Sequence, residues 1–134
     1  IVEFVYLAIL LMIPLAYLLL TVFRVQGASY AVSSATREAG RVFVTSGSSE
    51  ADARATTAAS IVMSDSGLKL DADQLSIRCS ARPCLTPGAN VEIALGYDVA
   101  LPFLPRFLEG TVPASIHVVG RHLEVVDRFR AVAP

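Results

Sequence analysis

The chain has 134 residues, 54% of them hydrophobic, and eleven Lys and Arg stand against twelve Asp and Glu for a net charge of −1. That length suggests one globular domain, or one domain plus an appendage. The near-neutral balance lacks the basic footprint of a nucleic-acid binder, and Arg128 and Arg130 beside Asp127 are expected to form a solvated tail.

The chain opens "IVEFVYLAILLMIPLAYLLLTVF", in which Glu3 is the one side chain with a formal charge before Arg24. Residues 4–23 form an almost unbroken apolar run, and as a helix they span about 30 Å, the hydrocarbon thickness of a bilayer. A signal peptide has a shorter apolar centre and a basic flank before it; here an acid precedes the run and Arg24 follows it. The division expected is a transmembrane or filament-core helix over residues 1–24 and an extracytoplasmic domain over 25–134. Pro14 lacks an amide hydrogen and its ring crowds the carbonyl of Leu10, so a kink or loosening is predicted over residues 10–14.

The helix is predicted to run on to about Thr45, because "RVQGASYAVSSATREAGRVFVTS" holds helix formers and no proline. Gly27, Ala31, Ala35 and Ala39 recur every four residues and so form one stripe. Small residues at that interval let another helix approach closely. For Gly27 and Ala31, just outside the membrane, a neighbouring subunit is the expected partner. For the later residues, where Val42 and Phe43 join the face, the chain's own domain is expected.

"TSGSSEAD" breaks the helix. Ser49 is expected to cap a second helix over residues 50–66, with Asp52 three residues on and Gly67 as its stop. Ala51, Ala55, Ala58, Ala59 and Val62 fall on one side of it, which implies close packing on a sheet or on the first helix.

The period then changes to two. Leu75, Ile77 and Cys79 alternate with polar residues, as do Val91, Ile93, Leu95, Tyr97 and Val99, giving two half-buried strands. "PASIHVVGRHLEVVDRF" makes a third; its phase slips between Val118 and Val119, and a bulge is predicted at Gly120. Short connections favour antiparallel pairing. The fold class is therefore α+β: a long N-terminal helix and a second helix packed on a small antiparallel sheet.

Cys79 and Cys84 in "RCSARPCL" enclose four residues, which is neither a redox pair nor a zinc knuckle. A local disulfide in an oxidising compartment is the economical reading; two free thiols in the cytosol are the alternative. Closing so short a loop stabilises by about 2 kcal/mol, enough to pin a turn. If the cysteines are oxidised, the domain lies outside and the N-terminus inside, where basic residues should cluster. None precedes Glu3, so either the rule fails here or a short basic leader has been removed, and the second is preferred.

"LPFLPRFLEGTVP" connects the second and third strands and carries Phe103, Leu104, Phe107 and Leu108 among three prolines. It is read either as a contact surface or as a loop folded over the sheet edge as part of the core, with a slight lean to contact. Nothing points to an enzyme. His117 and His122, five apart on one strand, face opposite sides unless a bulge intervenes. No serine sits in a strand–turn–helix elbow, the glycines are scattered, and Asp71 and Asp73 are a weak calcium signal. No cofactor or metal is implied.

Glu3 has two readings. An acid in the first helical turn is favoured by the macrodipole by less than about 1 kcal/mol. In lipid, however, a lone acid is costly and takes a partner. In a bundle of identical helices that partner is the α-amino group of a neighbour, and the pair both neutralises the charge and sets axial register.

"VEFVYLAILLMIPLAYLLLTVFRVQGASYAVSSATREAGR" resembles the TadE-like pilins of tight-adherence pilus systems. The features that match are "VEF" before the apolar run, the proline within it, the Phe23–Arg24 step and the Ala-rich "ATREAGR". The resemblance covers roughly the first 45 residues. It implies a prepilin whose basic leader is clipped by a membrane prepilin peptidase. An ATPase-driven platform then extracts the subunit from the membrane into a filament with bundled N-terminal helices at its core. Glu3, Pro14, Gly27, Ala31 and Ala35 are the expected assembly residues. The family's acid usually stands fifth and here it stands third; either two residues precede this sequence or the processing site differs. A domain this large looks more like a minor pilin than a small major one. The competing class is a single-pass anchored binding domain that never polymerises.

Overall fold

In the computed structural model, which describes residues 1–102 and 114–131, a single helix, α1, runs from Val2 to Thr45. At 1.5 Å per residue it is about 66 Å long. Pro14 lies inside it and the helix continues on both sides. The two halves of α1 meet different surroundings. An 18-residue apolar window in the first half is unburied and long enough to cross a membrane. In the second half Ala28, Ala31, Val32, Ala35, Thr36, Ala39, Gly40 and Phe43 are buried. Those positions are three and four apart, so one face of the helix serves as a wall of the domain core.

The second helix, α2, spans Ala51–Asp65 and buries Ala51, Ala55, Ala59 and Met63. The turn between the helices sends α2 back along α1, and the alanines of both join one core cluster. Alanine at the contact lets two helix axes approach toward the close end of the usual 8–10 Å range. Ala31 is 4% exposed and Ala35 is fully buried. The chain's own domain thus occupies the stripe at Ala31, where a neighbouring subunit was expected; Gly27 remains exposed.

The capping expected of Ser49 is not made. Glu50 precedes α2 in a helical conformation, without a side-chain cap, and its amide already bonds Gly47 O at 3.1 Å. A capping side chain needs an extended backbone at its own position, and Ser49 lies within this turn. The other end is as expected. Gly67 has φ +72°, its amide donates to Ser64 O and that of Leu68 donates to Met63 O. This is the paired bonding of a Schellman stop, which favours glycine at the left-handed position.

Three strands follow, β1 (Leu75–Cys79), β2 (Asn90–Ala100) and β3 (Ser115–Val125). They form an antiparallel sheet in the order β1-β2-β3. Val91, Ile93 and Leu95 of β2 are fully buried and pair with Cys79, Ile77 and Leu75 of β1. That face packs against the helices.

Strand β3 departs from the expected bulge. It pairs with β2 residue for residue, with Gly120 opposite Leu95. The glycine answers a different demand. A Cβ at Gly120 would lie 2.6 Å from Val32 Cγ1 and 3.1 Å from Val32 O, so α1 crosses β3 with no room for a side chain. Val118 on the inner face packs against the core, while three apolar residues of β3 lie on the outer face. Val119, Leu123 and Val125 are 51%, 59% and 52% exposed.

Arg130, expected in a solvated tail, is instead half-buried, and its guanidinium donates to Val44 O and Ser46 O at the end of α1. A cation there satisfies carbonyls that have no partner in the helix and opposes the negative end of the dipole. The loop with Phe103, Leu104, Phe107 and Leu108 lies outside the described residues.

The glycine at 120 gives a direct test. Gly120→Ala is expected to destabilise the full-length chain in detergent by about 1–3 kcal/mol through overpacking. Gly27→Ala, where a Cβ would meet nothing within 4 Å, should be neutral or stabilise by up to about 1 kcal/mol. Thermal melts of both variants check the pair; equal melting temperatures would contradict the close crossing.

Candidate functional site

Chemistry that needs converging reactive groups finds little here. Among the described residues no cluster of three or more His, Cys, Asp or Glu is placed to hold a metal ion. His117 Nδ1 lies 2.7 Å from Asp98 Oδ1, while His122 Nε2 lies 2.8 Å from Glu124 Oε2. With no bulge between them, the two histidines face opposite sides of β3, each with its own carboxylate. Asp71 caps the short 3-10 helix Ala72–Gln74. Its amide donates to Gln74 Oε1 at 3.0 Å and its carbonyl accepts from the Gln74 amide.

An ion pair on the outer side of α1 shifts the proton affinities of its members. Arg41 hydrogen-bonds Glu38 at 2.6 Å. That bond holds the Glu38 carboxyl below the usual carboxylate range, and the same bond raises Arg41. Both side chains are solvated, so screening leaves the pair a small part in stability.

The candidate site is the exposed half of α1. Glu3 sits in its first turn, with the Ile1 carbonyl accepting from the Val5 amide at 3.2 Å. Phe4, Leu7, Leu11, Ile13, Leu18 and Phe23 are all exposed, a large apolar surface that nothing among the described residues covers. An exposed apolar area of that extent belongs in a bilayer or against other proteins.

Its few polar features are ordered. Glu3, Pro14, Tyr17 and Thr21 are spaced eleven, three and four residues apart. Each interval is close to a whole number of helical turns, so the four share one side of α1. Ala28, Val32, Ala35 and Ala39, which pack in the domain, continue that side at intervals of seven, four, three and four. Thr21 Oγ1 donates to Tyr17 O at 2.9 Å, which keeps the hydroxyl satisfied within the helix. The face of α1 that bears the acid is therefore the face on which the domain is built. Tyr17 and Thr21 were not singled out by the sequence reading; their spacing from Glu3 was the available signal.

The remaining predicted residues lie beyond the apolar half of α1. Gly27 is exposed beyond the apolar half, and Ala31 and Ala35 are inside the domain. Cys79 and Cys84 are joined as a disulfide, with Cα atoms 5.2 Å apart. The loop they close leads to Ala89, whose carbonyl accepts from the Val126 amide, while the Gly88 amide donates to Val126 O. The disulfide thus pins the turn that meets the chain just beyond β3.

Compared with protein-family models, curated proteins and solved structures, the chain finds no match.

The bond has a simple readout. Alkylation of the folded full-length chain without reductant is expected to leave its intact mass unchanged, and reduction first should add two alkyl groups. Two groups added without reductant would remove the oxidised pair and the extracytoplasmic placement argued from it.

Proposed function

We propose that the chain is a structural pilus subunit, a minor pilin of the tight-adherence type, that joins its filament through α1. One observation carries this reading. A single unbroken helix has an exposed apolar half with an acid in its first turn and a second half built into the core of a small α+β domain. In this account the apolar half holds the subunit in the membrane, N-terminus inside and domain outside. A prepilin peptidase and an assembly platform with its ATPase then act on it. In the extracellular pilus other pilin subunits replace lipid around the same surface. The work of the chain is assembly in service of surface adhesion, with no catalytic step.

Glu3 supplies the register. A charged carboxylate at the centre of a membrane helix costs about 3 kcal/mol, and less near its end. Pairing with the amino group of a neighbouring subunit offsets that cost only when the two helices are correctly staggered. A second reading, an anchored binding domain that does not polymerise, draws on Val119, Leu123 and Val125, which leave β3 with an apolar outer face.

The two readings part at Glu3. Glu3→Gln should insert into the membrane as the parent does, since an amide is less costly there than a carboxylate. Its incorporation into pili should fall several-fold, read by immunoblot of sheared filaments against the membrane fraction. Incorporation equal to the parent's would remove the register role.

A further inference from the structure

Where α1 leaves its apolar half, a cleft of about 550 Å³ opens between the helix, the turn after α2 and the end of β2. Phe23, Arg24 and Gly27 form one wall; Ser66, Leu68 and Tyr97 face them. The position of the cleft follows from the apolar run. Residues 4–23 cross about 30 Å of hydrocarbon, so a helix spanning a bilayer through that run sets Arg24 at the headgroup layer on the domain side.

The lining has a distinct chemistry. Among the described residues that line it, Arg24 is the one formally charged side chain and none is a carboxylate. Among the described residues Arg24 belongs to no ion pair. Around it lie the carbon surfaces of Phe23, Leu68 and Val99, with the Tyr97 phenol and the Ser66 hydroxyl as further polar groups. At Gly27 the helix leaves space, since a Cβ there would meet nothing within 4 Å. A guanidinium among apolar walls, at the end of the apolar run, suits a ligand that joins an anion to a greasy tail. Guanidinium pairs with phosphate through two parallel hydrogen bonds, and an aromatic beside it at this depth is at home in the headgroup layer.

We infer that this cleft seats the headgroup of an anionic phospholipid, with Arg24 on the phosphate and Tyr97 and Ser66 as additional hydrogen-bonding groups. The inference rests on the reading of α1 as a membrane-spanning helix. A lipid held there fixes the depth of the helix and braces the domain against the bilayer. It also defines a contact that must be broken, or carried along, when the subunit leaves the membrane.

The test uses the full-length chain in nanodiscs of equal phosphatidylcholine and phosphatidylglycerol, released into the gas phase for native mass spectrometry. Retained lipid is expected to be enriched several-fold in phosphatidylglycerol. Arg24→Gln should return the ratio to that of the disc, Arg24→Lys should keep part of the preference, and Gly27→Leu should lower lipid retention by filling the cleft without changing charge. Circular dichroism of each variant reports whether it folds as the parent does. A parent chain that enters discs but retains the two lipids in the disc ratio would overturn the inference alone. So would an Arg24→Gln chain that keeps the preference. A parent chain that fails to enter discs would remove the membrane reading, and this inference with it.

Discussion

The structure depends on how closely α1 lies on the sheet. At Gly120 a Cβ would strike Val32, and at Gly40 it would lie 3.0 Å from Ile93 Cδ1 and 3.2 Å from His122 Cδ2. Two glycines, one on the strand and one on the helix, clear the same crossing at different heights. Alanines do the same between α1 and α2. The bulk that fills the core comes from elsewhere, chiefly Met63, Ile93, Leu95, Val32 and Val91. Close-packed interiors transmit displacement instead of absorbing it. A helix seated so tightly carries the domain with it, and the side of α1 that bears Glu3 is in line with the side on which the domain sits.

This seating explains which parts of the architecture were legible in the sequence. The limits of α1, the stop at Gly67, the alternation of β1 and β2 and the Cys79–Cys84 pair all rest on local rules: helix period, left-handed glycine, strand period, short loop closure. The residues that escaped depend on the crossing or on distant contacts. The phase change between Val118 and Val119 looks like a bulge when apolar residues are assumed to face inward. It is instead an edge strand whose inner face lies under a helix, and Val119, Leu123 and Val125 lie on its outer side. The small-residue stripe was visible at Gly27, Ala31, Ala35 and Ala39, but period alone cannot tell a neighbour from the chain's own second helix. Arg130 reaches Val44 and Ser46 from more than eighty positions away, and nothing in its local sequence announces that.

Function divides along the same line. The domain half of α1 has its partners within the chain, and the described residues around it offer no catalytic or metal-binding cluster. The other half has none among the described residues, and its exposed apolar surface calls for lipid or for other helices. A subunit that passes from membrane to filament meets both in turn. The pilin reading gives one surface two successive environments and gives Glu3 a task in the second. An anchored domain that never polymerises needs the apolar run only for its length and leaves the acid without a role beyond the helix dipole.

The most direct measurement is electron cryomicroscopy of pili sheared from cells that make this chain, with an affinity tag on its domain to locate it. The account predicts tagged subunits within the filament, their apolar helices bundled at the axis and their sheets outward. Filaments that form without the tagged chain, while all of it stays in the membrane fraction, would contradict the account.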